Sequence, residues 1–207
     1  MASTESEQAF WDQRFSGGSY VYGDQANDFL REQAANLPLG TALCLAEGQG
    51  RNGVHLASLG HQVTVQDLSP VGLKAAEALA QQRGVTLQTQ CGDLREFQAE
   101  ANSMDLVVAI WMHLQPELRA QVHREAIKAL KPGGHLLIEA YTPRQLRHRT
   151  GGPPQLELLI EPETLRQEMA GLELVILREQ ERLIQEGPCH QGMSAVVQAL
   201  GRKPNTT

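Results

Sequence analysis

The stretch Leu43-Cys44-Leu45-Ala46-Glu47-Gly48-Gln49-Gly50-Arg51-Asn52-Gly53 decides the fold. It runs from an apolar strand through a glycine turn into the start of a helix. Glycine lets the backbone turn sharply and come close to a ligand. The helix N-terminus beyond it offers free N–H groups. Around this turn a rhythm extends along the chain. Residues 41–46 read as an apolar strand, 52–59 as a helix ended by Gly60, and 61–66 as a Val-rich strand. Residues 70–83 read as an Ala/Leu helix with Pro70 in its first turn and Gly84 past its end. Strands at 86–90, 104–110 and 135–140 and a helix at 116–130 continue the pattern. Strands alternating with helices imply βαβ units and a parallel sheet with helices on both faces. Near-continuous apolar strands agree with burial on both sides.

The flanks break the rhythm. A short helix is expected over 6–15, capped by Ser6 or Thr4 and stopped by Ser16-Gly17-Gly18-Ser19, and a second over 25–36 before Pro38. After Tyr141, residues 143–154 carry Arg144, Arg147, His148, Arg149, Gly151 and Gly152 and read as a loop or lid. A helix over 162–170 follows. Strands over 172–178 and 193–200, parted by a turn at Gly187-Pro188, form an antiparallel edge pair closing the same sheet. The expectation is one domain over 1–207: an N-terminal helical cover (1–37), a binding core (38–140), and a substrate-side loop, helix and strand pair (141–207).

Composition narrows the function. The chain has 207 residues, 41% apolar and 20% charged, which excludes wholesale disorder and suits a single globule. A net charge of −6 argues against gripping a phosphate backbone, so nucleic acid is not an expected partner. Cys44, Cys91 and Cys189 are too scattered for a disulfide framework or zinc cluster, and Cys44 and Cys91 lie in apolar runs that suit small buried thiols. No metal site is expected: His55 and His61 do not fit a helical i, i+4 pair, and no HExxH occurs. The start of the chain lacks a basic-then-apolar leader, and the longest apolar run, 104–112, holds Asp105 and is too short to cross a membrane. The default location is the cytoplasm, with no membrane partner.

Residues 48–53 fit GxGxxG, the dinucleotide fingerprint, although three glycines can also simply make a tight strand–helix turn. Asp67 ends the second strand, where a carboxylate can accept hydrogen bonds from both hydroxyls of an adenosine ribose. Glu47 stands where a pyrophosphate would approach. A carboxylate opposes that anion but suits a sulfonium and its ammonium group, which favours S-adenosylmethionine (SAM). Lys131-Pro132-Gly133-Gly134 sets a Pro-Gly-Gly turn before the fifth strand.

The run 43–53, Asp67-Leu68-Ser69, Gly72-Leu73, Gly92-Asp93-Leu94 and 131–134 together resemble class I SAM-dependent methyltransferases. They resemble the bacterial branch near tellurite-resistance and thiopurine-type small-molecule enzymes. Phe10-Trp11-Asp12-Gln13-Arg14-Phe15 and Tyr22-Gly23 resemble that branch's N-terminal segment. The resemblance implies an α/β fold: a Rossmann-like, doubly wound, mostly parallel seven-stranded sheet with helices on both faces and an antiparallel C-terminal strand pair. It implies SAM as cofactor, S-adenosylhomocysteine (SAH) as product, and a small-molecule acceptor, with a leaning towards sulfur, selenium or tellurium nucleophiles. It places Gly48 and Gly50 under the methionine part, with Glu47, Arg51 and Asn52 beside them, and Asp67 on the ribose. Leu68 would pack on adenine, Asp93 would accept from its amino group, and Leu94 would lie beside it. Ile110, Trp111 and His113 would line the transfer pocket, and Trp11, Arg14 and Tyr22 would cover the cofactor. The sequence departs from the general pattern at Cys44, where most members are acidic, and at Ala46, where most have glycine.

His113, Tyr141 and His190 are the candidate catalytic residues; structural packing is the alternative for each, and a surface turn for His190. A neutral imidazole can orient an acceptor or take its proton. Arg144, Arg147 and Arg149 suggest a lid attracting an anionic acceptor, or simply a solvated loop. Rival readings are a nicotinamide-dependent oxidoreductase and a SAM-binding sensor without turnover. The chain is expected to act as a monomer or homodimer.

Overall fold

The computed structural model describes residues 4–205; the outermost residues of the expected 1–37 and 141–207 segments, 1–3 and 206–207, lie outside it. Seven strands form one sheet: β1 (Thr41–Leu45), β2 (Gln62–Asp67), β3 (Gln88–Cys91), β4 (Met104–Ile110), β5 (Leu130–Tyr141), β6 (Glu173–Glu186) and β7 (His190–Arg202). Their spatial order is β3-β2-β1-β4-β5-β7-β6. The first five are parallel, and β7 runs antiparallel between β5 and β6. This is the doubly wound Rossmann-like sheet with an antiparallel terminal pair.

Helices α1 (Thr4–Phe15), α2 (Asp28–Ala34), α3 (Arg51–Ser58), α4 (Pro70–Gln82), α5 (Pro116–Ala129) and α6 (Pro162–Glu168) complete the element order. Successive strand residues point to opposite faces. Leu43, Leu45, Val107 and Ile138 enter one buried cluster together with α5 and α6; Ala42, Cys44, Val65 and Val108 enter another with α2, α3 and α4. Burial on both faces explains the unbroken apolar strands. Among the described residues, no helix is long and apolar enough to cross a membrane.

Sequence-coded caps set the helix starts. Ser69 Oγ accepts from Gly72 N (3.0 Å) with Pro70 in the first turn of α4, and Asn27 Oδ1 accepts from Leu30 N (3.1 Å) to begin α2. That cap starts α2 three residues later than the hydrophobic pattern suggests.

Two expectations need correcting. The terminal hairpin is far longer than two short edge strands: its register runs from Glu173↔Arg202 to Glu186↔His190. Residues 179–186 are so polar that they read as a turn, yet their inward side chains pair with polar partners. Arg182 Nε donates to Glu139 Oε1 (2.8 Å) and Gln180 Nε2 to Gln198 Oε1 (3.0 Å). Cys91 is exposed rather than buried, because β3 is an edge strand; Cys44 is fully buried.

The order reverses between β1 and β4, so the crevice opens at the C-terminal ends of those strands, where ligands bind in such sheets. Both ends are backbone-strained. Ala46 after β1 has φ +48° and Trp111 after β4 has φ +58°, a region costing L-residues about 1–2 kcal/mol. The loop thus keeps the turn that glycine would favour, despite the alanine.

Candidate active site

A cavity of about 640 Å³ lies at this crevice, within the ordinary range for small-molecule sites. Its floor comes from Glu47, Gly48, Arg51 and Asn52, one end from Asp67, Leu68, Asp93 and Leu94, and the other from Ile110, Trp111, His113 and His190. Trp11, Arg14 and Tyr22 close it from the N-terminal side.

Two expected residues fall outside the lining. Gly50 has φ +84° and faces α4; a Cβ there would stand 2.4 Å from that of Ala76, so this glycine serves helix packing. Tyr141 is fully buried behind the wall, because the last residue of β5 points into the apolar layer beneath the loop. Its ring stacks on Trp111 (4.3 Å between centroids) and His113 (5.5 Å). The arginine loop also turns away: Arg144 lies near Glu179 and Glu181 outside the crevice, and Arg147 and Arg149 are exposed and do not line the cavity. Residues 151–155 of the same segment do line it. Replacing Arg147 and Arg149 by alanine is therefore expected to leave the KM of an anionic acceptor unchanged in steady-state kinetics.

Glu47 caps α3. Its Oε1 accepts from the backbone N–H of Asn52 (2.7 Å) and Gly53 (2.9 Å). Burial raises its pKa to about 7, against those hydrogen bonds and Arg51. The N–H groups that a pyrophosphate would use at a helix N-terminus are thus occupied.

Asp67 is buried, with Oδ2 accepting from Gly48 N (2.7 Å) and Oδ1 from Ser69 N (2.8 Å). Burial raises its pKa, with the two backbone donors opposing. Gly48 lies beneath the Phe15 ring, which a Cβ at that glycine would meet at 2.9 Å, and Phe15 stacks on Trp11. Asp93 is held by Thr4 Oγ1 (2.9 Å) and Arg95 Nε (2.8 Å); burial pushes its pKa up, but these partners keep it below the usual value.

The two histidines are neutral at pH 7, since burial lowers His113 to about 4 and His190 to about 3. His113 Nδ1 lies 3.2 Å from the Leu158 carbonyl, which assigns the proton to Nδ1. Its Nε2 has no hydrogen-bond partner among the described residues.

Sequence reasoning missed Glu186, Asn27 and Cys189. Glu186 is buried at the inner end of β6 and accepts from Arg51, Trp111, Asn27 and Arg182. Asn27 bonds both Glu186 and Asn52, and Cys189 lines the cavity beside Arg14. A glutamate before Gly-Pro reads locally as a solvated turn, and no local signal marks it otherwise.

Residues 42–134 match the family described as a methyltransferase domain. Over that stretch, a little under half of its length, the chain is similar to a methyltransferase domain. The uncharacterized methyltransferase YbaJ of Bacillus subtilis (strain 168) is 37% identical over 98 residues, which are 46% of this chain and 38% of that protein. The match thus spans well under half the length of that curated relative. Among solved structures, one described as the conversion of a disulfide bond into a thioacetal group during echinomycin biosynthesis superposes with TM-score 0.77 at 18% identity, covering 97% of this chain and 93% of its own. TehB from Haemophilus influenzae superposes with TM-score 0.71, also at 18% identity, covering 95% and 67%. At these identities the likeness is one of fold alone.

Proposed function

We propose that the protein transfers the methyl group of SAM to a small-molecule acceptor. The observation that carries this is Glu47 on the N-terminus of α3: it withdraws the helix N–H groups from a pyrophosphate and sets a carboxylate beside the cavity, where a sulfonium or ammonium is favoured. The donor set fits. Asp67 suits ribose hydroxyls, Leu68 and Leu94 offer apolar surface to adenine, and Arg51 Nη1 is a buried donor without a partner among the described residues. Bound there, SAM would supply an activated methyl group on a good leaving group.

The chain's own contribution is alignment and exclusion of water, which can lower a barrier by about 7–11 kcal/mol. Trp11, Phe15 and Tyr22 cover the cofactor end, while Trp111, His113 and residues 151–155 wall the acceptor end. His113 presents a neutral imidazole with its proton on Nδ1, so Nε2 can accept from a protic nucleophile. A soft nucleophile at sulfur, selenium or tellurium is the finer reading. It agrees with the sulfur chemistry of the echinomycin protein and with a site that holds no strong base.

Calorimetric titration with SAM, SAH and NADH between pH 6 and 8 tests the cofactor. SAM and SAH are expected to bind and NADH not to. The ratio of SAM to SAH affinity should rise with pH as Glu47 loses its proton near pH 7; NADH binding alone would restore the dinucleotide reading. For a protic acceptor, His113→Ala should lower turnover about 10²-fold while SAH affinity holds. Unchanged turnover would make His113 structural, and SAM binding without transfer to any acceptor of a thiol, selenite and tellurite panel would make the protein a sensor.

A further inference from the structure

Glu186 has no contact with the cavity itself, yet it joins four parts of the fold. Its Oε2 accepts from Arg51 Nη2 (2.7 Å) at the start of α3 and from Trp111 Nε1 (2.7 Å) after β4. Its Oε1 accepts from Asn27 Nδ2 (2.9 Å) at the cap of α2 and from Arg182 Nη2 (3.2 Å) on β6. Both partners of the Arg51–Glu186 pair are about 95% buried. Burial alone would raise the pKa of Glu186, but Arg51, Trp111 and Arg182 hold it below the usual value.

Arg51 lines the cavity, and this bond uses only one of its two terminal nitrogens. The other, Nη1, is buried and has no hydrogen-bond partner among the described residues. A buried guanidinium donor left unpaired is costly. Its fork geometry suits a second, anionic partner such as a carboxylate. Glu47 is engaged by the α3 backbone, and Glu186 by Nη2 and three other donors, so the vacancy falls to a ligand. Arg14 lines the same side of the cavity, and its hydrogen-bond partners are Tyr22 Oη (3.4 Å) and Cys189 Sγ (3.8 Å) rather than a carboxylate. The end of the cavity between α1 and α3 therefore carries two guanidinium groups with donor capacity to spare.

We propose that Glu186 is a positioning residue: by holding Arg51 through Nη2, it presents Nη1 as the seat for the α-carboxylate of the cofactor's methionine moiety. This rests on the SAM reading of the cavity. The same carboxylate holds the Trp111 indole, so the terminal hairpin sets the methionine seat and one wall of the transfer pocket together. The hairpin tip is itself seated on the N-terminal segment, with Cys189 N donating to Val21 O (3.3 Å).

The test compares two ligands that differ only in the carboxylate: SAH and decarboxylated SAH, titrated calorimetrically against wild type, Glu186→Gln and Arg51→Met. Glu186→Gln is expected to weaken SAH about 10- to 100-fold, the range of a charge-assisted hydrogen bond. Decarboxylated SAH should weaken less than about threefold, and Arg51→Met should show the same discrimination. Equal losses for both ligands would make Glu186 merely structural and overturn the proposal, as would unchanged SAH affinity. If Glu186→Gln does not fold by circular dichroism, Glu186→Asp, which keeps the charge but draws it back, carries the same comparison. Wild type that binds neither adenosyl ligand would instead overturn the SAM reading, and this inference with it.

Discussion

Replacing Asp67 with alanine is expected to weaken SAH binding about 10- to 100-fold, measured by calorimetry. Asp67 stands at the end of β2 with both oxygens engaged by backbone donors, Gly48 N–H and Ser69 N–H. The first tethers the glycine turn, and the second fixes the entry to α4. On the proposed SAM reading, removing the carboxylate would lose a contact with the ribose, worth about 1.5–3 kcal/mol for a bond to a charged group, and it leaves two backbone donors unpaired. Asp67→Asn keeps one acceptor oxygen and should retain more of the affinity. Unchanged SAH affinity in the alanine variant would remove Asp67 from the binding site.

Gly50→Ala should produce the largest loss of stability. The residue has φ +84°, which costs an L-residue about 1–2 kcal/mol. The added Cβ would also stand 2.4 Å from Ala76 Cβ and 2.8 Å from its Cα, so α3 and α4 must separate. Overpacking of that kind costs about 1–3 kcal/mol. Together the two effects lower Tm by about 5–20 °C for a chain of this size. Gly84→Ala is the control: its φ is +70°, but among the described residues nothing beyond its chain neighbours lies within 4 Å of the added Cβ, so only the backbone cost applies. Similar melting losses in both variants would show that the Ala76 contact is tolerated.

These two residues mark how far the sequence could be read. The strand-turn-helix at 43–53 and the carboxylate closing the second strand are local patterns, and local chemistry specifies them: apolar strand, glycine turn, proline and serine at the next helix start. Gly50 shows the limit. As the second glycine of GxGxxG it reads as a ligand-facing position, but which side of the turn it faces depends on where α4 packs. Tyr141 shows the same limit, since its place at a strand end was legible and its burial behind Trp111 was not.

The arginine loop and Glu186 changed places. Three arginines in a glycine-bounded loop look like an anion trap. The structure sends Arg144 towards Glu179 and Glu181 on β6 and leaves Arg147 and Arg149 facing outward. Glu186, which looks like a solvated turn residue, is buried at the junction of four elements. Its partners lie 4 to 159 positions away in sequence, and periodicity carries no information about such distant meetings.

By itself, then, the sequence determined the alternation of strands and helices, the doubly wound sheet, the glycine turn and the acidic residue at the end of the second strand. Each of these follows from side-chain period, backbone freedom or capping within a few neighbouring residues. Only the tertiary structure decided how far the terminal hairpin extends, which histidine nitrogen is left unpaired, which arginines face the cavity and that Glu186 holds Arg51 and Trp111. Those features arise where residues far apart in the chain are buried together, and a buried charge or polar atom must then take whatever partner the packing brings within reach.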